Sequence, residues 1–121
     1  MTSAEFEALA RRIMGSYFGT EWRRDALGRL PKRFDLVSFD GRIVGDAKYY
    51  QLVNRISLPP AKFATIAEHV WLLEKTEAEI RFLVFGNQIE VPRLWLAIYG
   101  PFAKAVRFFF LDDNRPLEQL S

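Results

Sequence analysis

Residues 32–49 read KRFDLVSFDGRIVGDAKY, with the dipeptide Asp40-Gly41 between two largely apolar runs. Asp-Gly in this setting predicts a two-residue hairpin with a type I′ turn, since both central residues of that turn need a positive φ. The turn sets the register of the two strands. It places Asp35 directly opposite Asp46 on the neighbouring strand.

The predicted hairpin would bring three charged side chains together. Lys48 lies two residues beyond Asp46 and therefore on the same face of its strand. Side chains opposed across two strands are about 5 Å apart, and two carboxylates at that separation repel each other. A positive charge between Asp35 and Asp46 would offset the repulsion. The candidates are a divalent metal ion and the Lys48 ammonium.

The composition is that of one folded domain. Of the 121 residues, 50% are hydrophobic and 15% aromatic, which suffices for a filled core and argues against intrinsic disorder. The chain has no cysteine and one histidine, which excludes thiolate sites and any multi-histidine zinc cluster made by this chain alone. Neither a signal peptide nor a long apolar stretch is visible. We therefore expect a single domain over residues 1–121, cytoplasmic and without a membrane partner.

Basic residues are concentrated before the hairpin. From Arg11 to Arg33 there are seven basic and two acidic residues, although the net charge of the whole chain is only +2. A basic segment beside two carboxylates suits a polyanionic substrate held near a cation site. An ordinary solvated surface explains the same charges without a ligand and is the simpler interpretation.

Hydrophobic periodicity and turn residues indicate the remaining elements. Before the hairpin we expect a helix from a Thr2–Glu5 capping box to Gly19, and then mostly loop over 20–31 with a short strand near Trp22. After the hairpin we expect a helix from Pro59-Pro60 to about Thr76, a buried strand over 80–85 and a short helix over 93–99. The last elements are a strand over 106–111 and a polar tail from Asp112. This order predicts an α/β domain of three layers, in which a central mixed sheet is flanked by helices.

The hairpin residues are of the types that metal-assisted phosphodiester hydrolysis needs. Mg²⁺ prefers carboxylate and phosphate oxygens, and a nearby ammonium can hold the attacking water or stabilise developing negative charge. Phe34-Asp35, followed after ten residues by Asp46-Ala47-Lys48, resembles the signature of the PD-(D/E)XK nuclease superfamily, which has the restriction-endonuclease-like fold. Phe6-Glu7 resembles the Phe-Glu pair that members commonly carry in the first helix.

The resemblance implies a metal-dependent nuclease that hydrolyses phosphodiester bonds in DNA with Mg²⁺ or Mn²⁺. Asp35, Asp46 and Lys48 would be catalytic, with Lys48 positioning the attacking water. Asp35, Asp46, Glu7 and the main-chain carbonyl of Ala47 would hold the metal. We assign contacts with the nucleic acid to five further residues: Lys32, Arg33, Tyr49, Gln51 and Lys62. Because the chain has no separate recognition domain, a homodimer or a larger complex would complete the assembly.

Other interpretations of the same residues stay open. The chain would be a catalytically inactive relative, a nucleic-acid-binding or assembly subunit, if it binds no metal. Lys48 alone can neutralise both aspartates, and Glu7 can simply pair with Arg11 at i+4 spacing. In a plain interaction module the hairpin carboxylates would splay into solvent. His69 lies off the apolar seam of its helix, so we expect it at the surface.

Overall fold

A six-stranded mixed sheet organises the chain. The computed structural model describes residues 1–52 and 60–121. Its elements are α1 (Ser3–Phe18), β1 (Trp22–Ala26), β2 (Arg33–Ser38), β3 (Ile43–Tyr50), α2 (Pro60–Glu74), β4 (Ile80–Asn87), α3 (Glu90–Tyr99), a 3₁₀ turn (Gly100–Phe102), β5 (Arg107–Asp112) and β6 (Arg115–Gln119). The strands lie side by side in chain order. β1, β2 and β3 are antiparallel, β3, β4 and β5 are parallel, and β6 returns antiparallel to β5.

The first helix has the predicted ends. The Thr2 hydroxyl accepts the Glu5 N–H at 3.1 Å, and the Thr2 N–H donates to the Glu5 carboxylate at 2.8 Å, which is the capping box. Gly19 has φ 69° and closes the helix in the left-handed conformation that glycine adopts without strain. The second helix begins at Pro60, as predicted, while Pro59 lies outside the described residues.

Alternate residues of β4 and β5 fill two cores on opposite faces of the sheet. Phe82 and Val84 pack with the α1 residues, whereas Leu83 and Phe85 pack with α2 and α3. Helices therefore pack against both faces of the sheet. The prediction of an α/β fold with a mixed sheet is confirmed. Within residues 1–52 and 60–121, none of the helices has the length and apolar character needed to cross a membrane.

The two edge strands were predicted only in part. The short strand predicted near Trp22 is β1, which extends to Ala26. Trp22 anchors it by burying its ring and donating its indole N–H to the Arg11 carbonyl at 3.2 Å. β6 replaces the predicted polar tail and packs Leu117 against the α1 face. Edge strands bury few side chains, so their hydrophobic pattern is weak even where the backbone pairs.

The β2–β3 turn is not the predicted type I′ turn. The Gly41 N–H donates to the Ser38 carbonyl at 2.9 Å, so Phe39 and Asp40 are the central residues. Of the described residues, Asn87 is the only non-glycine with a positive φ, which excludes the conformation that Asp40 would need. The Asp40 carboxylate instead accepts the Ser38 hydroxyl at 2.8 Å and the Arg42 N–H at 3.0 Å. These local side-chain bonds favour the observed loop.

The strand register is nevertheless the predicted one. Leu36 lies opposite Gly45 in the antiparallel pair of β2 and β3. One step further from the turn, Asp35 and Asp46 therefore lie at the same level of neighbouring strands. β3 is also paired along its length with β4, which holds Asp46 beside Leu83. The hairpin carboxylates are thus placed in the interior of the sheet.

Gly45 allows β3 to approach the core beneath α1. A Cβ at this position would clash with the ring of Phe82, which is fully buried. We expect Gly45→Ala to lower the free energy of unfolding by about 2 to 3 kcal/mol, because relief requires movement of packed core residues. Urea denaturation measures the loss. Gly100→Ala is the matched control, since its Cβ would meet only Leu96 at 3.6 Å or more. Equal stability of the two variants would contradict this packing.

Candidate functional site

The two hairpin aspartates join β2 to β3 through their side chains. The Asp35 N–H donates to Asp46 Oδ1 at 2.9 Å, and the Ala47 N–H donates to Asp35 Oδ2 at 3.1 Å. In a regular antiparallel pair, main-chain carbonyl groups accept the N–H groups of the neighbouring strand. Here the two side-chain carboxylates accept them instead. Asp46 is fully buried. The alternative in which both carboxylates splay into solvent is therefore wrong.

Three nitrogen atoms converge on one oxygen of Asp46. Lys32 Nζ lies 2.6 Å, Lys48 Nζ 3.1 Å and His69 Nδ1 3.4 Å from Asp46 Oδ2. Lys48 comes from β3, Lys32 from the segment before β2, and His69 from α2. Burial on its own would raise the pKa of the Asp46 carboxyl, but Lys48 and Lys32 outweigh it and hold the pKa below its usual value. Asp46 is therefore an ionised carboxylate whose negative charge is balanced by Lys32 and Lys48.

Arg24 connects Asp35 to Glu7. Its Nη2 lies 3.3 Å from Asp35 Oδ1 and 2.5 Å from Glu7 Oε1. Arg11 also approaches Glu7, at 3.9 Å and with i+4 spacing, as one interpretation of the sequence expects. Glu7 therefore faces Asp35 across a guanidinium. Arg24 could not be assigned to the site from sequence, because the strand that carries it was itself predicted only in outline.

Asp35 is less well compensated than Asp46. Burial, followed by the charge of Asp46, raises the pKa of Asp35 to about 6, although the hydrogen bond from the Ala47 N–H acts in the opposite direction. Two carboxylates in one buried place cannot both ionise without cost. Asp35 is therefore the carboxylate whose ionisation a further cation would favour most.

Lys48 and His69 are hydrogen-bonded to each other through Nζ and Nδ1. Burial lowers the pKa of the Lys48 ammonium, with Asp46 opposing the shift. Burial, followed by the charges of Lys48 and Lys32, lowers the pKa of His69 to about 4. The imidazole is accordingly neutral near neutral pH, and its Nδ1 accepts an N–H of the ammonium.

The expectation that His69 lies at the surface is wrong. Its side chain is 15% exposed and reaches the buried carboxylate of Asp46. In the sequence, His69 precedes Val70, a member of the apolar seam of α2, and so sits on the flank of that seam. A residue at the side of the seam becomes buried when a strand packs beneath it, as β3 does here with Asp46 and Lys48. The position of His69 next to the apolar seam was the feature of the sequence that could have indicated its burial.

The residues predicted to contact nucleic acid fall into two groups. Lys32 is bound to Asp46, and Tyr49 stacks on Phe6 with ring centroids 5.2 Å apart, so both are occupied by contacts within the chain. The other three side chains are exposed: Arg33, Gln51 and Lys62. The Lys62 ammonium lies 4.6 Å from the centroid of the Tyr50 ring. Three of the five side chains are therefore exposed to solvent.

The carboxylate pair offers oxygen donors of the kind that hard divalent cations prefer. In the described part of the chain, no three His, Asp or Glu side chains are arranged as a metal-binding group. Mg²⁺, however, is commonly held by one or two carboxylates, with water and substrate phosphate completing its coordination. Asp35 and Asp46 supply two such carboxylates side by side, and the raised pKa of Asp35 marks negative charge that a cation would stabilise. A metal ion here would compete with Lys32 and Arg24.

No protein-family model, curated protein or solved structure matches this chain. The resemblance to PD-(D/E)XK nucleases stays a prediction from the sequence.

Neutralising each aspartate should have opposite effects on stability. Asp35 ionises near its ordinary pKa of 3.8 in the unfolded chain but near 6 in the fold, so stability is lost as the pH rises through this interval. In metal-free buffer at about pH 8, we expect Asp35→Asn to raise the free energy of unfolding by about 1 to 2 kcal/mol. The gain should disappear at about pH 4, where the wild-type carboxyl is largely protonated.

Asp46→Asn is the matched comparison. Removal of this charge leaves Lys48 and Lys32 without their shared partner in a buried place, which should cost about 3 kcal/mol. Urea denaturation of the wild type and both variants in the presence of a chelator measures the difference. Equal destabilisation by the two substitutions would contradict the unequal compensation of the pair.

Proposed function

We propose that the chain is a metal-dependent nuclease that hydrolyses phosphodiester bonds in DNA. The observation that carries the proposal is the adjacent carboxylate pair of Asp35 and Asp46 with the Lys48 ammonium bound to Asp46 Oδ2 at 3.1 Å. Two oxygen donors and a buried ammonium form the minimum set for binding a hard cation next to a scissile phosphate. Each of these residues is held in place by bonds to another element.

The topology supports a restriction-endonuclease-like arrangement. The resemblance expects a helix bearing an acidic residue, a hairpin bearing Asp and then Asp-x-Lys, a second helix and a further strand. Here α1 carries Glu7, β2 carries Asp35, β3 carries Asp46 and Lys48, and α2 leads to β4 parallel to β3. β1 also supplies the strand between the first helix and Asp35, which the sequence predicts only as a short strand near Trp22.

Each residue of the site would have a separate role in catalysis. A bound Mg²⁺ or Mn²⁺ ion, held by Asp35, Asp46 and the Ala47 carbonyl, would supply Lewis-acid stabilisation of the phosphate. Lys48 would hold the attacking water or a phosphate oxygen by an ammonium N–H. Asp46 keeps that ammonium charged and in place, and the Ala47 N–H orients the Asp35 carboxylate.

The same site provides positive charge for the DNA backbone. Lys32 and Arg24 bind the carboxylates in the absence of a substrate, and on displacement by a metal ion they would become available to phosphate oxygens. Arg33 and Lys62 are exposed and would extend this contact. Cleavage of both strands of a duplex requires a second site, so we propose a homodimer or a larger complex for that substrate.

A catalytically inactive nucleic-acid-binding or assembly subunit is the second candidate. It is favoured by one observation, namely that the cations Lys32, Lys48 and Arg24 already compensate the carboxylates without a metal ion. In such a protein the ion cluster would hold the strands together, and the exposed basic residues would bind the nucleic acid.

Cleavage assays distinguish the two candidates. With Mg²⁺ or Mn²⁺, we expect nicking of supercoiled plasmid DNA by the wild type and a loss of at least about 100-fold in Asp46→Asn, because both the metal site and the anchor of Lys48 are damaged. Asp113→Asn, an exposed aspartate on the turn before β6, is the matched control and should keep full activity. Absence of cleavage on supercoiled, linear, single-stranded and branched DNA alike would favour the inactive subunit.

Substitution of Arg24 tests the competition between the protein's cations and the metal. Arg24→Gln removes a positive charge from Asp35 and should raise the affinity for Mn²⁺ about tenfold, as isothermal titration calorimetry would show. Arg12→Gln changes an exposed arginine of the same charge and should leave the affinity unchanged. Failure of both variants and the wild type to bind Mn²⁺ would overturn the metal site.

A further inference from the structure

The Lys48 ammonium has two acceptors of different kinds. It donates to Asp46 Oδ2 at 3.1 Å and contacts His69 Nδ1, which belongs to α2. An ammonium carries three N–H donors in fixed tetrahedral directions. Over the described ranges 1–52 and 60–121, these two acceptors account for two of the three N–H groups. When two N–H bonds of a tetrahedral ammonium are fixed by acceptors, the direction of its third N–H bond is fixed as well.

Resting on the proposed nuclease function, we propose that His69 is a positioning residue for Lys48. Its unprotonated Nδ1 accepts one N–H of the ammonium, and Asp46 accepts the second. The third N–H is thereby directed at the attacking water or a phosphate oxygen of the DNA. This arrangement requires the tautomer in which the imidazole carries its proton on Nε2.

The chemistry of a neutral acceptor suits this role. A second carboxylate at the position of His69 would also orient Lys48, but it would add negative charge beside Asp35 and Asp46 and would repel the phosphate. Without any acceptor, the ammonium is free to rotate about its terminal bond and to share Asp46 Oδ2 with Lys32 in other orientations. A neutral imidazole removes this freedom without changing the charge of the site.

Packing alone does not explain the position of the imidazole. The ring nitrogen Nδ1 contacts polar groups, Lys48 Nζ and Asp46 Oδ2, whereas the neighbouring Val70 is part of the core between α2 and the sheet. A substitution at position 69 should therefore leave the fold intact and act on the ammonium. A loss of activity without a loss of stability would therefore indicate a positioning role for His69 and not a structural one.

Two substitutions of His69 test the role through catalysis. The amide oxygen of His69→Asn lies where Nδ1 lies and can accept the Lys48 N–H, whereas His69→Ala has no acceptor. We expect kcat for DNA cleavage to fall about 10- to 100-fold in His69→Ala with KM changed less than about twofold, since a misplaced group costs rate more than binding. His69→Asn should restore most of kcat. Equal kcat in the wild type and His69→Ala would overturn the proposal.

The imidazole tautomer tests the contact without any need for activity. His69 is the single histidine of the chain, so tag-free protein labelled with ¹⁵N gives one pair of ring nitrogen signals. We expect an unprotonated Nδ1 and a protonated Nε2 at neutral pH, with the Nδ1 signal changed in Lys48→Met. A protonated Nδ1 would overturn the proposal whatever the activity. If the wild type cleaves no DNA, the proposed function fails, and the tautomer alone decides whether His69 accepts from Lys48.

Discussion

The burial of the Asp46 carboxylate is the constraint on which the rest of the structure depends. Removing a carboxylate from water costs several kcal/mol unless hydrogen bonds and opposite charges replace the solvent. The replacements come from separate segments: the Asp35 N–H from β2, Lys48 from β3 and Lys32 from the preceding loop. His69 of α2 accepts from Lys48 and so joins a further element to the cluster. These segments cannot move apart without exposing an unpaired charge. The fold and the candidate site therefore share one set of interactions.

Such a cluster is a poor way to stabilise a domain. Hydrophobic residues of similar volume often stabilise a core as well as a buried ion pair does, or better. The cluster also contains a second carboxylate, Asp35, whose pKa is raised to about 6 by burial and by Asp46. A protein that holds an unfavourable charge pair in its sheet gives up stability at that place, which is common where a ligand is bound. The hydrophobic cores on both faces of the sheet supply the compensating stability.

Local signals in the sequence predicted the elements and the central register well. The predicted turn at Asp40-Gly41 placed Asp35 opposite Asp46, and this register is confirmed. The turn itself is of another type, because the Asp40 carboxylate organises the loop through its own hydrogen bonds. The capping box at Thr2 was readable because both partners lie within one helical turn. In contrast, the edge strands β1 and β6 carry too little buried surface to give a clear pattern.

The partners of the carboxylates were harder to predict than the carboxylates. Arg24 and His69 reach the site from positions far along the chain, and Lys32 was expected to contact a nucleic acid before it was seen to bind Asp46. Long side chains cover several ångströms, so their ends depend on how whole elements pack. Sequence spacing limits which face of an element a residue occupies but not which distant charge it meets.

Anomalous X-ray diffraction from crystals grown with Mn²⁺ tests the central claim most directly, because it locates the cation without relying on activity. The account predicts an anomalous peak between the carboxylates of Asp35 and Asp46, with Lys32 or Arg24 withdrawn from the oxygen that it occupies here. A structure at saturating Mn²⁺ with no peak at this pair, and with both cations still bound to the carboxylates, would contradict it.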